Sequence, residues 1–430
     1  MIATLAGFGV LFALLFFGFP LTIALGVVGY AGFGLIIGFG PSGAIVAQTA
    51  WDTVSSYNLT VLPLFLLMGN LVNHAGLSRE LYDASNAFVG HRRGGLAMAT
   101  VIACGGFSAV CGSSVATAVT MGKIALPSMK RYGYSDALST GSVAAGGTLG
   151  ILIPPSVLMV IYGTMTETSV GKLFIAGIVP GIIGVLLYVG AVRMHIMLDE
   201  HAGPAGPLTP WRERFVRLAA VWPTLALFVL VIGGIYFGVF TAAEASGIGA
   251  AGALIIALCR RSLTIRSFIA VLGDTVSTTA ALMSVLIGAL IFANFINVTG
   301  VSSQTVGMIR ELDVEPIVVI LIMIGFYIVL GCVFESLAMM LLTLPVSFPL
   351  VIELGYDPVW YGILMVVMVE ISLITPPIGM NLFVIRTVAQ TVSTTTIFRG
   401  ILPFVGADII RLAIIVLLPS LILFLPNQMN

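Results

Sequence analysis

Apolar positions follow one another along this chain in blocks of about twenty, the length of helix that crosses a bilayer, and polar residues gather in the gaps between them. The blocks predict spanning helices near residues 2–18, 21–38, 58–76, 94–111, 135–164, 172–197, 218–238, 241–259, 271–296, 315–331, 358–385 and 402–425. Two further apolar stretches, 114–129 and 336–352, follow a span after a break of only two or three residues. Each is short and holds proline, Pro127 in one and Pro345 and Pro349 in the other. A re-entrant hairpin that turns back inside the membrane fits those lengths better than a second crossing. Such backbone is tolerated only where protein or a water-filled cavity covers it.

Membrane orientation follows Lys and Arg. With both hairpins re-entrant, one side collects fourteen: Arg79, Arg92, Arg93, Lys130, Arg131, Arg193, Arg212, Arg214, Arg217, Arg260, Arg261, Arg266, Arg386 and Arg399. The other side keeps two, Lys172 and Arg310, and receives Asp52, Glu167, Glu311, Asp313, Glu315, Glu353 and Asp357. This split predicts a cytoplasmic basic side and both termini outside; an extra crossing at either hairpin would scramble it. Residues 199–217, with Gly, Pro and several Arg, form the one sizeable linker, predicted to lie in the cytoplasm between two halves.

Composition agrees with a bilayer as the solvent. Only 8% of the 430 residues are charged, against roughly 25% in an average soluble protein, and mean hydropathy is +1.14. Eighteen basic residues balance eighteen acidic ones, so no basic excess points to nucleic acid. Cys104, Cys111, Cys259 and Cys332 sit in apolar runs without CxxC spacing and read as small buried hydrophobes. The first residues are apolar without a basic n-region or a small-residue cleavage site, which predicts a first span in place of a signal peptide. HExxH, GxSxG and Walker A patterns are missing, so neither enzymatic chemistry nor a nucleotide is expected. The 49 glycines and 20 prolines stand out, because both residues loosen helices.

Their placement reveals an internal repeat. A shift of 222 residues carries Pro127, Gly133, Tyr134, Pro154 and Pro155 onto Pro349, Gly355, Tyr356, Pro376 and Pro377. Upstream, a shift of 224 carries Asn70, Asn73, Gly76 and Ser78 onto Asn294, Asn297, Gly300 and Ser302. With the first hairpin entering from the cytoplasm and the second from outside, the repeats are inverted, as in many secondary transporters. The expected fold is therefore an all-α polytopic membrane protein of about 11–12 spans plus two re-entrant hairpins. Its predicted parts are scaffold spans at 1–57, a first repeat at 58–198 with its hairpin at 94–131, and the linker at 199–217. Scaffold spans at 218–270, a second repeat at 271–400 with its hairpin at 315–354, and a last span at 401–430 complete it.

Each repeat combines a hairpin tip with a proline-broken span. Breaking a helix in mid-membrane frees carbonyls at one half-helix end and amides at the other; the carbonyls suit a dehydrated cation, and the amides, at the positive end of the helix dipole, suit a carboxylate. In the first repeat the tip is Ser108–Ser114 and the break runs from Gly146, Gly147 and Thr148 to Pro154, Pro155 and Ser156. In the second the tip is Gly331–Ser336, and Ser372, Thr375, Pro376, Pro377, Ile378 and Gly379 form the break, with Asn381 following. A kinked helix whose hydroxyls bond back to their own carbonyls is the alternative; two symmetric copies facing two tips weigh against it.

Ionisable groups at membrane depth are costly and often functional. Glu335 takes the place that Ser113 holds in the first tip; it either caps the following half-helix, the favoured reading, or helps to hold a cation or proton. Asp408 and Arg411, three apart, share a helix face and read as a structural pair. Glu370 reads equally as a coupling acid or a helix-to-helix contact. Asn70 and Asn294 read at least as readily as polar glue between helices as substrate contacts.

The stretches CGSSVATAVTMGKIALPSMKRYGYSDALSTGSVAAGGTLGILIPPS, LGCVFESLAMMLLTLPVSFPLVIELGYD and LITPPIGMN resemble the large membrane subunit of tripartite ATP-independent periplasmic (TRAP) transporters, within the wider ion-transporter superfamily, and the likeness runs over nearly the whole chain. The resemblance implies an elevator-type carrier of the bacterial inner membrane that imports an organic anion, a carboxylate or acidic sugar, by sodium symport. It implies two partners, a periplasmic substrate-binding protein and a small four-helix membrane subunit. Because the chain starts directly with large-subunit spans, that small subunit is expected to be a separate protein. By the same resemblance one sodium ion falls to Ser108, Cys111, Gly112, Ser113 and Ser114 with Gly147, Thr148, Gly150, Ile153 and Pro155. A second falls to Gly331, Glu335 and Ser336 with Ser372, Thr375 and Ile378, and substrate to Thr117, Ser156, Gly379 and Asn381. A self-sufficient sodium/dicarboxylate symporter is the runner-up; an intramembrane enzyme or an assembly scaffold is more remote.

Overall fold

The structure, a computed structural model, describes residues 2–311, 314–331, 334–377 and 379–429, with the side chains of all of these but Ser302, Met308, Ile309 and Arg310. Asp313, Cys332 and Ile378, and the side chains of Ser302 and Arg310, thus lie outside the described residues. Every regular element among the described residues is helical. An outer group comprises α1 (Ile2–Phe16), α2 (Leu21–Ile37), α3 (Phe39–Ser55), α4 (Val61–His74) and α5 (Leu77–Val89). The first hairpin follows as α6 (Gly95–Cys111) and α7 (Ser114–Arg131), then a broken helix, α8 (Asp136–Thr148) and α9 (Val157–Thr166), then the long α10 (Val170–Leu198). Next come α11 (Trp211–Ala220), α12 (Trp222–Tyr236), α13 (Ala242–Cys259), α14 (Ile265–Thr299) and α15 (Val301–Glu311). The second half closes with α16 (Pro316–Gly331) and α17 (Ser336–Glu353), α18 (Pro358–Ile374) and α19 (Met380–Val388), α20 (Thr394–Leu417) and α21 (Pro419–Leu423).

Among the described residues five helices, α10, α13, α14, α17 and α20, are each long and apolar enough to cross a membrane. The bent pairs α3 with α4 (53°) and α11 with α12 (48°) reach that length together. Several of the twelve expected spans are thus shorter pieces: the 135–164 and 358–385 blocks are each cut at their proline pairs, as the sequence predicts. The structure also departs from the sequence reading. Residues 39–55, outside the expected spans, are helical although Gly40, Pro41, Gln48 and Asp52 interrupt the apolar run. The 199–217 linker ends in α11, where Trp211, Phe215 and Leu218 recur at helical spacing. In α5 an amphipathic pattern that buries Leu77, Leu81 and Ala84 makes a further helix.

The repeat is visible as a succession of local devices. Gly76 and Gly300 both take left-handed backbone, φ +78 and +67, each donating its N–H to the Asn three residues before it. Ser113 caps α7 and Glu335 caps α17; Ser135 caps α8 and Asp357 caps α18. Each of these two cap pairs is separated by 222 residues. Pro154–Pro155 and Pro376–Pro377 are both cis.

Burial sorts the helices by position. From Val359 to Ile374 every residue of α18 is buried, the mark of a helix enclosed on all sides. Large apolar side chains of α1 and α2, such as Ile2, Phe16 and Leu35, are exposed, which suits contact with lipid. Helices α2, α3 and α4 pack on α14 and α4 on α13, while α8, α10 and α18 pack on α20. The first set forms a frame beside a core that holds both hairpins.

Candidate functional site

At the first tip α6 stops at Gly112, whose left-handed backbone (φ +68) donates its N–H to the Ser108 carbonyl. Ser113 then starts α7 by accepting the Ala116 N–H. The first break lies directly against this tip. A β-carbon at Gly112 would stand 2.6 Å from the Pro155 carbonyl oxygen, and one at Gly150 would stand 2.5 Å from the Ser113 carbonyl oxygen and 2.8 Å from Thr117 Oγ1. At Gly147 it would meet the Ala118 side chain at 2.7 Å. These glycines let two irregular segments touch backbone to backbone, so the carbonyls of Ser113 and Pro155 are set into the same contact.

Hydroxyls line this region, and four of them donate to a carbonyl of their own helix or turn. Ser108 bonds to Cys104 (2.7 Å), Thr117 to Ser113 (2.8 Å), Thr148 to Ala145 (2.7 Å) and Ser156 to Ile151 (2.5 Å). This back-bonding was the alternative to ion binding, yet the two are compatible: a hydroxyl that donates its proton inward keeps its lone pairs for another ligand. Oxygens from hydroxyls and carbonyls are a donor set for a hard monovalent cation.

The second tip repeats the plan with different chemistry. Gly331 ends α16 against Ser372 Oγ, where any β-carbon would collide. Ser372 donates to the Met368 carbonyl (2.8 Å) and Thr375 to that of Ile371 (2.7 Å). Glu335 Oε2 accepts the N–H groups of Leu337 (3.1 Å) and Ala338 (3.3 Å), the capping role favoured from sequence. Gly331, Glu335, Ser336 and Ser372 line a cavity of about 190 Å³ with Met339 and Met380.

A cavity of about 140 Å³ brings the two halves together. Gly112, Ser113 and Ser114 reach it from the first tip, and Glu335, Ser336 and Leu337 from the second. Leu66 of α4 and Thr278 and Leu282 of α14 face them from the outer frame. None of the four expected substrate residues is among those lining it. Thr117 and Ser156 are buried in the first tip and break, Gly379 (φ +32) starts α19, and Asn381 is an internal tie. Its amide nitrogen donates to Ser114 Oγ (2.7 Å) and to the Ala144 carbonyl (3.2 Å). Thr278 was missed, although the polar run 274–279 inside an otherwise apolar helix signals it. A larger cavity, about 480 Å³, lies elsewhere, between α7, α8 and residues 388–392.

Asp408 pairs with Arg411 at 2.7 Å, as the spacing predicts, and Glu370 contacts the same guanidinium at 2.8 Å from the neighbouring α18. Asn70 donates to Thr275 of α14 (3.0 Å) and Asn294 to the Leu290 carbonyl (3.0 Å); for Asn70 this is glue between helices.

Residues 8–421 match the family model of the tripartite ATP-independent periplasmic transporter, DctM component. The chain belongs to the DctM family. Among its relatives, the C4-dicarboxylate TRAP transporter large permease of Pseudomonas aeruginosa is 39% identical over 387 residues, 90% of each chain. The sialic acid TRAP transporter large permease of Vibrio cholerae is 31% identical over 415 residues, 96% of each chain. The crystal structure of the Alcanivorax borkumensis YdaH transporter matches with a TM-score of 0.70, covering 93% of this chain and 97% of that one at 13% identity, a likeness of fold alone. This DctM-family chain is therefore a large permease subunit, and its tips and breaks belong to a transport protein.

Proposed function

We propose that the permease carries a carboxylate-bearing organic anion into the cell, driven by sodium, from a periplasmic substrate-binding protein and beside a small four-helix membrane subunit. The observation that carries this reading is the meeting of both tips across one cavity walled on its far side by α4 and α14. A carrier needs its site at the boundary between a moving body and a fixed one. The tips, the breaks, α10 and α20 make the moving body of an elevator, and the frame around α2, α4, α13 and α14 makes the fixed one; this grouping differs from the sequence reading, which counted α4 and α14 with the two repeats and most of α20 as a last span.

Sodium would sit where tip and break meet in each repeat, at Ser108–Ser114 with Gly147–Pro155 and at Gly331, Glu335 and Ser336 with Ser372 and Thr375. The donor chemistry supports it: hydroxyls, backbone carbonyls and one carboxylate, all oxygen. Relatives named for a C4-dicarboxylate and for sialic acid share a carboxylate substrate, which favours that class here. The location is the bacterial inner membrane, with both termini periplasmic.

Reconstitution into liposomes tests the reading. Uptake is expected only with the small subunit, a loaded binding protein and an inward sodium gradient together. Uptake by the purified chain alone would support the self-sufficient symporter instead, and uptake indifferent to sodium would remove the coupling ion.

A further inference from the structure

Thr148 and Glu370 hold the same place in the two repeats, 222 residues apart, the offset that carries Pro154 onto Pro376. Each stands six residues before the proline pair of its own broken helix, on α8 and α18. On the helices that follow, α10 carries Tyr188 and α20 carries Asp408 and Arg411, at offsets of 220 and 223. These four helices pack on one another, so the two repeats meet through equivalent elements. The meeting point is filled with charge.

Glu370, Asp408, Arg411, Tyr188 and Thr148 are all 0% exposed. Arg411 Nη2 lies 2.7 Å from Asp408 Oδ1 and 2.8 Å from Glu370 Oε2. Tyr188 donates to Asp408 Oδ2 at 2.8 Å, and its hydroxyl lies 3.1 Å from that of Thr148. One guanidinium thus ties α18 to α20, one tyrosine ties α10 to α20, and its hydroxyl lies against Thr148 of α8, whose own proton goes to the Ala145 carbonyl. Gly184 of α10 has no side chain where Arg411 Nη1 sits, and a β-carbon there would collide with it. Stability alone is a poor reason for such a cluster, because well-packed apolar residues in place of a buried ion pair are often neutral or stabilising. Charges do impose one register, and removal of a single partner strands the others.

We propose that this cluster is an inter-repeat clamp in which Arg411, Glu370, Asp408 and Tyr188 are positioning residues for both helix breaks, so that the two sodium sites form together. The inference rests on the reading of the breaks as sodium sites. Glu370 precedes Ser372 by two residues, about 3 Å along the helix, and Thr148 precedes Gly150 by the same interval. Ion sites built largely from backbone oxygen have few side chains of their own to hold their geometry. Their shape follows the two helix ends, and the clamp holds both ends against each other.

Thermal unfolding of the purified chain, in potassium and across a sodium titration, tests the clamp without substrate or partners, because an ion that binds the folded state raises the midpoint by mass action. Wild type is expected to gain stability with sodium, with a Hill coefficient above one. Y188F deletes one hydroxyl and is expected to fold with a lowered potassium midpoint, because buried Asp408 loses a donor; half-saturation by sodium should in addition rise several-fold and the Hill coefficient fall toward one. E370Q and R411K should act in the same direction and more strongly. An unchanged sodium titration in Y188F, with E370Q and R411K lowering the potassium and sodium midpoints equally, would reduce the cluster to a structural role and overturn the proposal. A wild type that gains nothing from sodium over potassium overturns the underlying sodium reading, and the clamp with it, before any variant is compared.

Discussion

Ser114 at the first tip and Asn381 just beyond the second break are hydrogen-bonded to each other, 267 residues apart in sequence, in a site with almost no exposure. The tie joins the hairpin of one repeat to the broken helix of the other, and the second Asn381 bond, to the Ala144 carbonyl, extends it to α8. Truncation to N381A leaves the Ser114 hydroxyl and the Ala144 carbonyl buried without this partner, at a cost of about 1–3 kcal/mol. S114A removes the contacts of Asn381 with the hydroxyl but leaves Asn381 its bond to the Ala144 carbonyl. The expected outcome is a larger fall in the unfolding midpoint for N381A than for S114A, with the double variant less destabilised than the sum of the two. Strictly additive losses would mean that the two residues do not act as a pair.

Two glycines of the first repeat separate two reasons for having no side chain. Gly150 has ordinary backbone, yet a β-carbon there would press on the Ser113 carbonyl and on Thr117. Gly133 has left-handed backbone (φ +73) and open space around it. G133A therefore carries backbone strain of about 1–2 kcal/mol and nothing else, and transport should survive in the folded fraction. G150A must move the tip away from the break; uptake per folded protein should fall at least tenfold. Equal transport by the two variants, corrected for folded protein in the membrane, would show that close approach at Gly150 is not used.

Both breaks, both tips and the Asp408–Arg411 pair were legible because each is announced by local chemistry: proline pairs, glycine clusters, or charges spaced for one helix face. The repeat offset even predicts which residues share a role, as the caps Ser113 and Glu335 bear out. Contacts between distant segments carry no such signal. Nothing local to Asn381 says that it is spent on Ser114, and nothing near Glu370 says that its partner is forty-one residues away on α20. Leu66 and Leu282 were missed for the same reason, since a cavity wall supplied by another helix has no motif; Thr278 differs, because the polar run around it marks the position. Helices α3, α5 and α11 were missed because a search for long apolar runs passes over shorter amphipathic ones.

Glu335 is both a helix cap and the one place where the second tip offers a carboxylate that the first tip lacks. A serine serves as cap at the equivalent Ser113, so E335S keeps an N-cap while it removes the charge. Midpoints in potassium should differ from wild type by little, because Ser is among the best capping residues, whereas E335A should lose about 0.5–2 kcal/mol. Half-saturation of uptake by sodium should rise several-fold in E335S. If sodium dependence is unchanged in E335S and only E335A is impaired, the carboxylate is a cap and not a ligand.

Thr278 of α14 and Ser336 at the second tip line one cavity from opposite sides, one on the frame and one on the body that holds the breaks. If transport slides that body past the frame, a covalent link between the two residues must stop it, and release of the link must restore it. The experiment replaces Cys259, which is exposed, along with the other cysteines, then introduces T278C and S336C and treats the protein with a short, cleavable thiol cross-linker. Each single variant should transport before and after treatment. The double variant should lose uptake on cross-linking and regain it on reduction, while sodium still raises the unfolding midpoint of the linked protein, because the tips and breaks remain intact within their own body. Full uptake by a protein shown to be quantitatively cross-linked would exclude sliding at this boundary and require that substrate pass between the tips and α14 without their relative movement.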